Sequence, residues 1–357
     1  MESVRSKSGL GGLALWARGS LPAGHLLDAT WWFDSRTVFS FRERVLRQSV
    51  GGKVVFLGTP SLFLDCFHQR SPVETWLFDQ DDAIRKFLPK ELRSHFLTLD
   101  LTRKLPRRIG AELVIADPPW YMAELEAFLA GAQAVSSLGA TVEMSIPPIG
   151  VRPSIEEERD QLFTWAQAGG LPLVEILQNA TCYDTPVFER NSLHSVGEQT
   201  RENWRFGDLA IFSVERLNGL LPRRSLDERR WADLELLETR WRVAKVPDAA
   251  GRDPALISMG WPNDIFPSCS RRHAQRNLPS VWTSGNRVFE CLSPEGFLEI
   301  LQSIRRETLP EIISRVHALY PKKDSPEART AKQIVTVLEI EQREVEALRT
   351  CLSGKEL

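Results

Sequence analysis

Between Gly51 and Val214, short β-branched or aromatic runs alternate with longer amphipathic stretches, an order that few architectures accommodate. Seven runs read as strands: "KVVFLG" (Lys53 to Gly58), "ETWLFD" (Glu74 to Asp79), "HFLTLD" (His95 to Asp100), "LVIAD" (Leu113 to Asp117), "TVEMSI" (Thr141 to Ile146), "LVEILQNA" (Leu173 to Ala180) and "LAIFSVE" (Leu209 to Glu215). The stretches "SLFLDCFHQ", "DAIRKFLPKEL", "AELEAFLAGAQAVSSL" and "IEEERDQLFTWAQAGG" read as helices, with Gly139, Gly169 and Gly170 as stops. Strand and helix in turn predict an α/β domain over residues 51–216, with a doubly wound, mostly parallel sheet.

Two further segments flank that domain. Within residues 1–50, "DATWWFDSRTVFSFRERVL" (Asp28 to Leu46) gathers Trp31, Trp32, Phe33 and Phe39 and continues as an amphipathic helix toward Gly51-Gly52. Aromatic density of this kind builds core, and here it is also placed to wall a site. Residues 217–357 are expected to form an α-rich extension. It begins with a Pro/Asp/Gly-rich stretch (Val246 to Pro267) and a hairpin, "SVWTSGNRVFECL", turning at Ser284-Gly285-Asn286. Two long helices follow, Pro294 to Leu319 with a break at Pro310, and Pro326 to Leu352. In the last, Ile334, Leu338, Val345, Leu348 and Leu352 suit a helical hairpin that covers a domain or meets an oligomeric or other partner. The hairpin residues Trp282, Asn286 and Arg287 either pack or offer stacking and hydrogen bonds to a substrate.

Composition removes several classes. Apolar residues make up 42% and charged residues 26%, the balance of a globular chain rather than a disordered one. No apolar run approaches the ~18 residues of a spanning helix, so no membrane partner is expected. The 45 basic and 47 acidic residues give a net charge of −2, too little to recruit nucleic acid by a global field. Basic side chains cluster only locally, in "TRKLPRR" (Thr102 to Arg108), "LPRRSLDERR" (Leu221 to Arg230) and "SRRHAQR" (Ser270 to Arg276). Gly and Arg interrupt the N-terminal apolar patch, unlike a signal peptide. The five cysteines are odd in number and scattered, which fits a reducing, cytoplasmic location. Cys269 and His273 supply half a metal site with no matching second half, so no metal is expected.

The chemistry is concentrated where strands end. Asp79, Asp100 and Asp117 each close a strand run, and in open α/β sheets ligands bind beyond the carboxyl ends of the strands. One such carboxylate can accept two ribose hydroxyls and the next an adenine amino group, whereas helix capping accounts for one of the three better than for all. After Asp117 come Pro118, Pro119, Trp120 and Tyr121. The prolines lack donors and fix φ, so the ladder stops and the carbonyls of Asp117 and Pro118 can face a cavity. A carboxylate and a carbonyl converging there would take the two hydrogens of a neutral amino group and leave its lone pair aimed at an electrophile. Trp120 or Tyr121 would stack on a flat base or flank an aliphatic amine.

An Asp-Pro-Pro-aromatic motif of this type resembles that of the class I S-adenosylmethionine-dependent amino-methyltransferases, whose fold is a Rossmann-like, seven-stranded sheet. The closest resemblance is to the family labelled probable N6-adenine methyltransferase, which includes the elongation-factor-1A lysine methyltransferase. It rests on "WWFDSRT", Gly51-Gly52, "VVFLGTPSLF", "WLFDQDDAIRKF", "FLTLD" and "LVIADPPWYMAE", and covers roughly residues 28 to 150. The glycine-rich first loop of most methyltransferases is reduced here to Gly58-Thr59-Pro60-Ser61, a feature the resembling family shares. The resemblance implies S-adenosyl-L-methionine as cofactor. Gly58, Thr59 and Ser61 would then meet its methionine moiety, Asp79 its ribose and Asp100 its adenine, with Phe56, Leu101 and Asp117 beside them. Asp117, Pro118, Pro119, Trp120 and Tyr121 would hold the accepting nitrogen, and Trp31, Trp32, Phe33 and Trp120 the substrate.

The implied activity is N-methylation of an amino nitrogen, either a protein lysine or adenine N6 in nucleic acid. Near-neutral charge favours the protein substrate, although a lysine must first shed its proton. A stacking Trp120 and the basic run before it favour the nucleobase. Two alternatives remain. The motif also occurs in aminopropyltransferases using decarboxylated S-adenosylmethionine, whose acid-rich first loop this chain lacks. A catalytically silent scaffold of the same fold would present the C-terminal helices to partners.

Overall fold

The computed structural model describes residues 21–49, 51–199, 203–222, 231–246, 253–321 and 324–352. The chain divides into two compact units: residues 1–22, 31–184 and 203–226 form the first, and residues 23–30, 185–202 and 227–357 the second. Unit boundaries take in some residues outside those described, including most of "LPRRSLDERR".

The first unit holds eight strands: β1 (Trp32–Phe33), β2 (Lys53–Leu57), β3 (Glu74–Asp79), β4 (Phe96–Thr98), β5 (Ala111–Ala116), β6 (Ser136–Ile146), β7 (Leu173–Asp184) and β8 (Arg205–Ser213). They form one sheet in the order β1-β7-β8-β6-β5-β2-β3-β4. From β4 to β6 all pairs are parallel, while β8 runs antiparallel to both β6 and β7. The sheet is thus the expected doubly wound, Rossmann-like one, with the two-residue β1 added antiparallel on β7. Its strand order reverses between β2 and β5, which makes their carboxyl ends the ligand crevice of such a sheet.

Alternation along the strands fills two cores. Val55, Leu57, Val114, Ala116, Val142, Met144 and Phe212 face one side, and Val54, Phe56, Leu113, Ile115, Leu209 and Ile211 the other. Four helices of this unit matter here: α1 (Ser35–Gln48), α2 (Pro60–His68), α3 (Met122–Val135) and α4 (Ile155–Ala168). Asp34 caps α1 by accepting the Thr37 N–H at 2.8 Å. Val38, Phe41 and Val45 of α1 enter the second core. Beside them lies a charge inside the sheet: Glu143, fully buried on β6, receives Arg44 through Nε at 2.8–2.9 Å and Nη2 at 2.7 Å, and Gln48 at 3.0 Å.

Several boundaries differ from the sequence reading. The run Asp82 to Leu92 is not one helix but a single turn, Ile84–Phe87, and a 3-10 segment, Lys90–His95. Pro89 explains the break, because the residue before a proline is driven out of helical geometry, and Leu88 is extended at ψ 139°. Helix α3 stops at Val135, and Gly139 lies inside β6 at φ +80°, so it ends no helix. Gly169 and Gly170 do terminate α4. Strand β4 finishes at Thr98, two residues before Asp100, while β7 and β8 extend well past their expected limits toward each other's ends.

The second unit contains α5 (Val187–Ser195) and a five-stranded antiparallel sheet of β9 (Trp231–Leu236), β10 (Thr239–Ala244), β11 (Leu256–Ser258), β12 (Val281–Thr283) and β13 (Val288–Cys291), in the order β11-β13-β12-β10-β9. Only the β12–β13 hairpin was expected from sequence. Helices α6 (Pro294–Ser303), α7 (Leu309–Leu319) and α8 (Pro326–Leu352) share its core through Phe297, Ile312, Ile334 and Leu338. Pro310 does not break a helix. It sits in the first turn of α7, where its missing N–H costs nothing, behind a capping contact from Glu311 to the Thr308 N–H. Trp282, Asn286 and Arg287 are buried structural residues. The indole of Trp282 donates to Asn286 at 2.9 Å, and Arg287 pairs with Glu341 and Glu344. Asp28 joins this unit through Arg240 at 3.1 Å and Arg242 at 2.7 Å. Of the heptad positions on α8, the side chain of Leu352 lies outside the described residues.

Candidate active site

The crevice is lined first by backbone. Leu57 of β2 pairs with Ala116 of β5, and just beyond them the Asp117 N–H donates to the Leu57 carbonyl at 3.1 Å. Gly58 adopts φ +68°, and a Cβ there would stand 3.0 Å from the Phe128 ring and 3.2 Å from the Asp117 carbonyl. Both the torsion and the space therefore demand glycine. Thr59 and Ser61 are buried at the start of α2, and the Thr59 hydroxyl has no hydrogen-bond partner. An unmatched buried hydroxyl where two strands part, beside a glycine, fits a loop that receives a polar ligand. At the end of β3, Asp79 accepts the Asp81 N–H at 2.9 Å. Asp100 turns inward on its own loop: one carboxylate oxygen accepts both the N–H of Thr102 at 2.9 Å and its hydroxyl at 2.6 Å, and the other pairs with Arg103 at 3.1 Å. Phe56 is a core residue, its ring edge-on to Phe63, and Leu101 is buried against the Gly131 stretch of α3.

Asp117 anchors a chain of hydroxyls. Tyr183 donates to its carboxylate at 2.5 Å, Ser145 lies 2.6 Å from the Tyr183 hydroxyl, and Thr181 lies 3.0 Å from Ser145. With Tyr183 donating to Asp117, the chain runs Thr181 to Ser145 to Tyr183 to Asp117. Burial pushes the Asp117 carboxyl up to about 7, against the opposing effects of the Tyr183 hydrogen bond and the Arg205 charge. Burial, then the neighbouring Asp117 charge, raises the Tyr183 phenol well above its ordinary range, so it remains a proton donor.

Rings gather around Tyr183, the partner of this carboxylate. Trp120, buried directly after the two prolines, meets Tyr183 edge-on at 5.7 Å. Trp31 meets Tyr183 edge-on at 6.3 Å and Phe33 lies 5.1 Å from it. Trp31, just before β1, and Phe33 at its end both reach Tyr183, and Trp32 between them is partly buried against the same core. Of the expected substrate residues, the structure therefore brings Trp31, Phe33 and Trp120 to one place. Tyr121 sits at the start of α3, its N–H on the Pro119 carbonyl at 2.8 Å.

Sequence reasoning missed Tyr183, Arg205, Ser145, Thr181 and Trp204. Tyr183 and Arg205 are cross-strand partners on β7 and β8, each just outside the run read as a strand. The available signal was the alternation in "TCYD" and "RFGD" on either side of "TPVFERNSLHS". A register shift between Leu177 and Thr181 aims these residues, and Asp208 holds it by accepting the Asn179 N–H at 2.9 Å while pairing with buried Arg159 at 2.7 Å. Opposite Thr181, Gly207 admits the Trp120 ring: a Cβ there would come within 2.5 Å of the Thr181 hydroxyl, 2.8 Å of the Ser145 hydroxyl and 2.9 Å of Trp120. Gly207→Ala is therefore expected to displace Trp120, changing the near-ultraviolet circular dichroism and costing about 1–3 kcal/mol in urea denaturation. An unchanged aromatic spectrum would show that the ring is not held there.

Cys269 lies 3.3 Å from the Ser192 hydroxyl and His273 meets the Phe266 ring edge-on. Among the described residues, no cluster of three or more His, Cys, Asp or Glu is placed to hold a metal, and no helix is long and apolar enough to cross a membrane.

A mostly parallel sheet whose order reverses beside β2, with β8 antiparallel between β6 and β7, is a Rossmann-like architecture. Residues 28–144, which include β1 to β5 and Asp117 to Tyr121, match the family model described as "Probable N6-adenine methyltransferase". No curated protein matches the chain. Solved structures similar to it include the branched-chain polyamine synthase from Thermus thermophilus in complex with N4-aminopropylspermidine and 5'-methylthioadenosine, 16% identical over 61% of this chain and 66% of that one, with a TM-score of 0.48. A protein of Pyrococcus horikoshii provisionally described as an RNA methyltransferase is 15% identical over 57% of this chain and 96% of that one, with a TM-score of 0.41. The chain spans just under two thirds of the polyamine synthase.

Proposed function

We propose that the protein is an S-adenosylmethionine-dependent N-methyltransferase acting on an amino nitrogen held at Asp117-Pro118-Pro119-Trp120. The observation that carries this reading is the placement of Asp117 at the switch point of the sheet, fixed at 2.5 Å by a ring-flanked phenol that stays protonated. Gly58, Thr59 and Ser61 would take the methionine end of the cofactor, Asp79 the ribose, and the Asp100 loop the adenine. When bound, S-adenosylmethionine supplies a methyl carbon made electrophilic by its positively charged sulfur.

The protein's own part is orientation and proton handling. The Asp117 carboxylate and the Pro118 carbonyl accept the hydrogens of the amino group, and its lone pair is left free to attack. As the nitrogen bonds to carbon it becomes acidic, and the ionised Asp117 carboxylate takes the released proton. Tyr183, itself steadied by Ser145, holds that carboxylate in place. The loop Gly58-Thr59-Pro60-Ser61 carries no carboxylate to hold the amine of a donor that has lost its own carboxylate, which weighs against aminopropyl transfer. Protein lysine and adenine N6 both satisfy this geometry. Residues 217–357 are the proposed region for substrate or partner contact, and scattered free thiols at Cys66, Cys182, Cys269 and Cys291 support a reducing cytoplasmic setting.

Calorimetric titration with S-adenosylmethionine and S-adenosylhomocysteine tests the reading. The wild type is expected to bind both, and Asp79→Ala to bind at least about tenfold more weakly through loss of a charge-assisted hydrogen bond. No binding by a folded wild type would overturn the proposal in favour of a silent scaffold. With binding established, a labelled methyl group that resists nuclease and is released by protease would assign the acceptor to protein.

A further inference from the structure

The aromatic enclosure beside Asp117 already contains a cation. The guanidinium of Arg205 lies 4.1 Å from the centre of the Trp120 ring, 4.2 Å from that of Trp31 and 5.7 Å from that of Tyr183. Trp204 closes on the outer ring, edge-on to Trp31 at 6.3 Å. The three rings come from separate parts of the first unit, Trp31 before β1, Trp120 after β5 and Tyr183 on β7, and converge on one position. Their π faces, with the Asp117 carboxylate beside them, make a receptor for positive charge.

A guanidinium on those faces has a consequence for any acceptor. Whatever presents its nitrogen to Asp117 next to Trp120 must share or take the space that Arg205 fills. A neutral ring entering there would strip the carboxylate and three π faces of their cation and return none. An ammonium group restores both interactions on entry, and it releases one proton to solvent before its nitrogen can attack. Arg205 stands at the first position of β8, and a long stem carries its guanidinium to the rings.

We propose that Trp31, Trp120 and Tyr183 form a cation-binding cage for the alkylammonium group of the acceptor, and that Arg205 is its resident placeholder, displaced when the acceptor enters. The proposal deepens the methyltransferase reading and rests on it for the acceptor's role. An alkylammonium can come from a lysine side chain or from a free polyamine.

The test titrates wild type, Arg205→Ala and Arg205→Met with tetramethylammonium, N-acetyl-lysine amide, spermidine and adenosine at constant ionic strength, following tryptophan fluorescence and heat. Arg205→Met keeps the stem should Arg205→Ala fold poorly, and thermal melts confirm that each variant is folded. Removing the guanidinium is expected to tighten tetramethylammonium binding about tenfold, the scale of a desolvated cation–π contact. Adenosine should gain nothing, and Trp120→Ala in the Arg205→Met background should abolish the gain. A larger gain for the lysine derivative than for spermidine names the side chain as source, and the reverse names the polyamine. Equal binding of tetramethylammonium by wild type and both folded variants would overturn the cage, as would a gain for adenosine matching that of the cations, which would make the enclosure a nucleobase shelf. S-adenosylmethionine titrated into the same samples separates the two readings. Cofactor binding without a cation gain sinks the cage alone, while a cation gain without cofactor binding leaves the cage standing and removes the methyltransferase assignment.

Discussion

Asp117→Asn is expected to lower methyl transfer by about 10²-fold or more while leaving cofactor affinity within a few-fold of wild type, because it removes the proton acceptor and keeps the shape. Single-turnover transfer measured beside cofactor titration checks the split, and retained activity would show that Asp117 takes no proton. The same variant has a pH signature. The folded protein holds the Asp117 proton up to about pH 7, whereas the unfolded chain gives it up near the ordinary aspartate value. Native stability is therefore greatest below the unfolded value and declines as pH rises through 7, by up to a few kcal/mol. Asparagine has no proton to lose. The melting temperature of the variant relative to wild type should accordingly climb between pH 4.5 and pH 8. A flat difference would mean that burial does not raise this carboxyl.

The second large effect concerns the helix that carries the aromatic segment. Arg44→Met is expected to destabilise the protein by about 3–5 kcal/mol, because it strands the Glu143 carboxylate inside the sheet with only Gln48 as a polar partner. Arg44→Met combined with Glu143→Leu should recover most of that loss, since the charge is then removed with its partner. Urea denaturation of the two singles and the double gives the coupling directly. A small cost for Arg44→Met would show that water reaches Glu143.

The parts of this molecule that could be read from its sequence are those specified by neighbours in the chain. Strands β2, β3, β5 and β6 were visible because hydrophobic runs between turn residues need no partner to be recognised. Asp117 stood out because two prolines follow it, and Gly58 because a strand stopped there. Pro89 overruled an apparent helical period, and Thr102 drew Asp100 into a local turn that strand counting had not allowed for. Tyr183 and Arg205 stayed hidden because their pairing depends on a register shift fixed by Asp208, three residues along β8, and by Arg159 from α4. Strand β10, "TRWRVA", gave no alternation because all six positions are buried, its two arginines included. Their burial depends on Asp28 and Asp233, which no reading of the strand alone could supply.

That dependence on Asp28 has a bearing on synthesis. Arg242 follows Asp28 by 214 residues, so on the ribosome the early acid must wait through most of translation before its guanidinium emerges. Asn191 waits 153 residues for Glu344 in the same way. A nascent chain can assemble the parallel strands in sequence, yet the second unit cannot close until the end of the chain has been made. Truncations from the C-terminus should therefore yield products that persist as folding intermediates and attract chaperones, rather than an independently stable enzyme lacking an accessory piece.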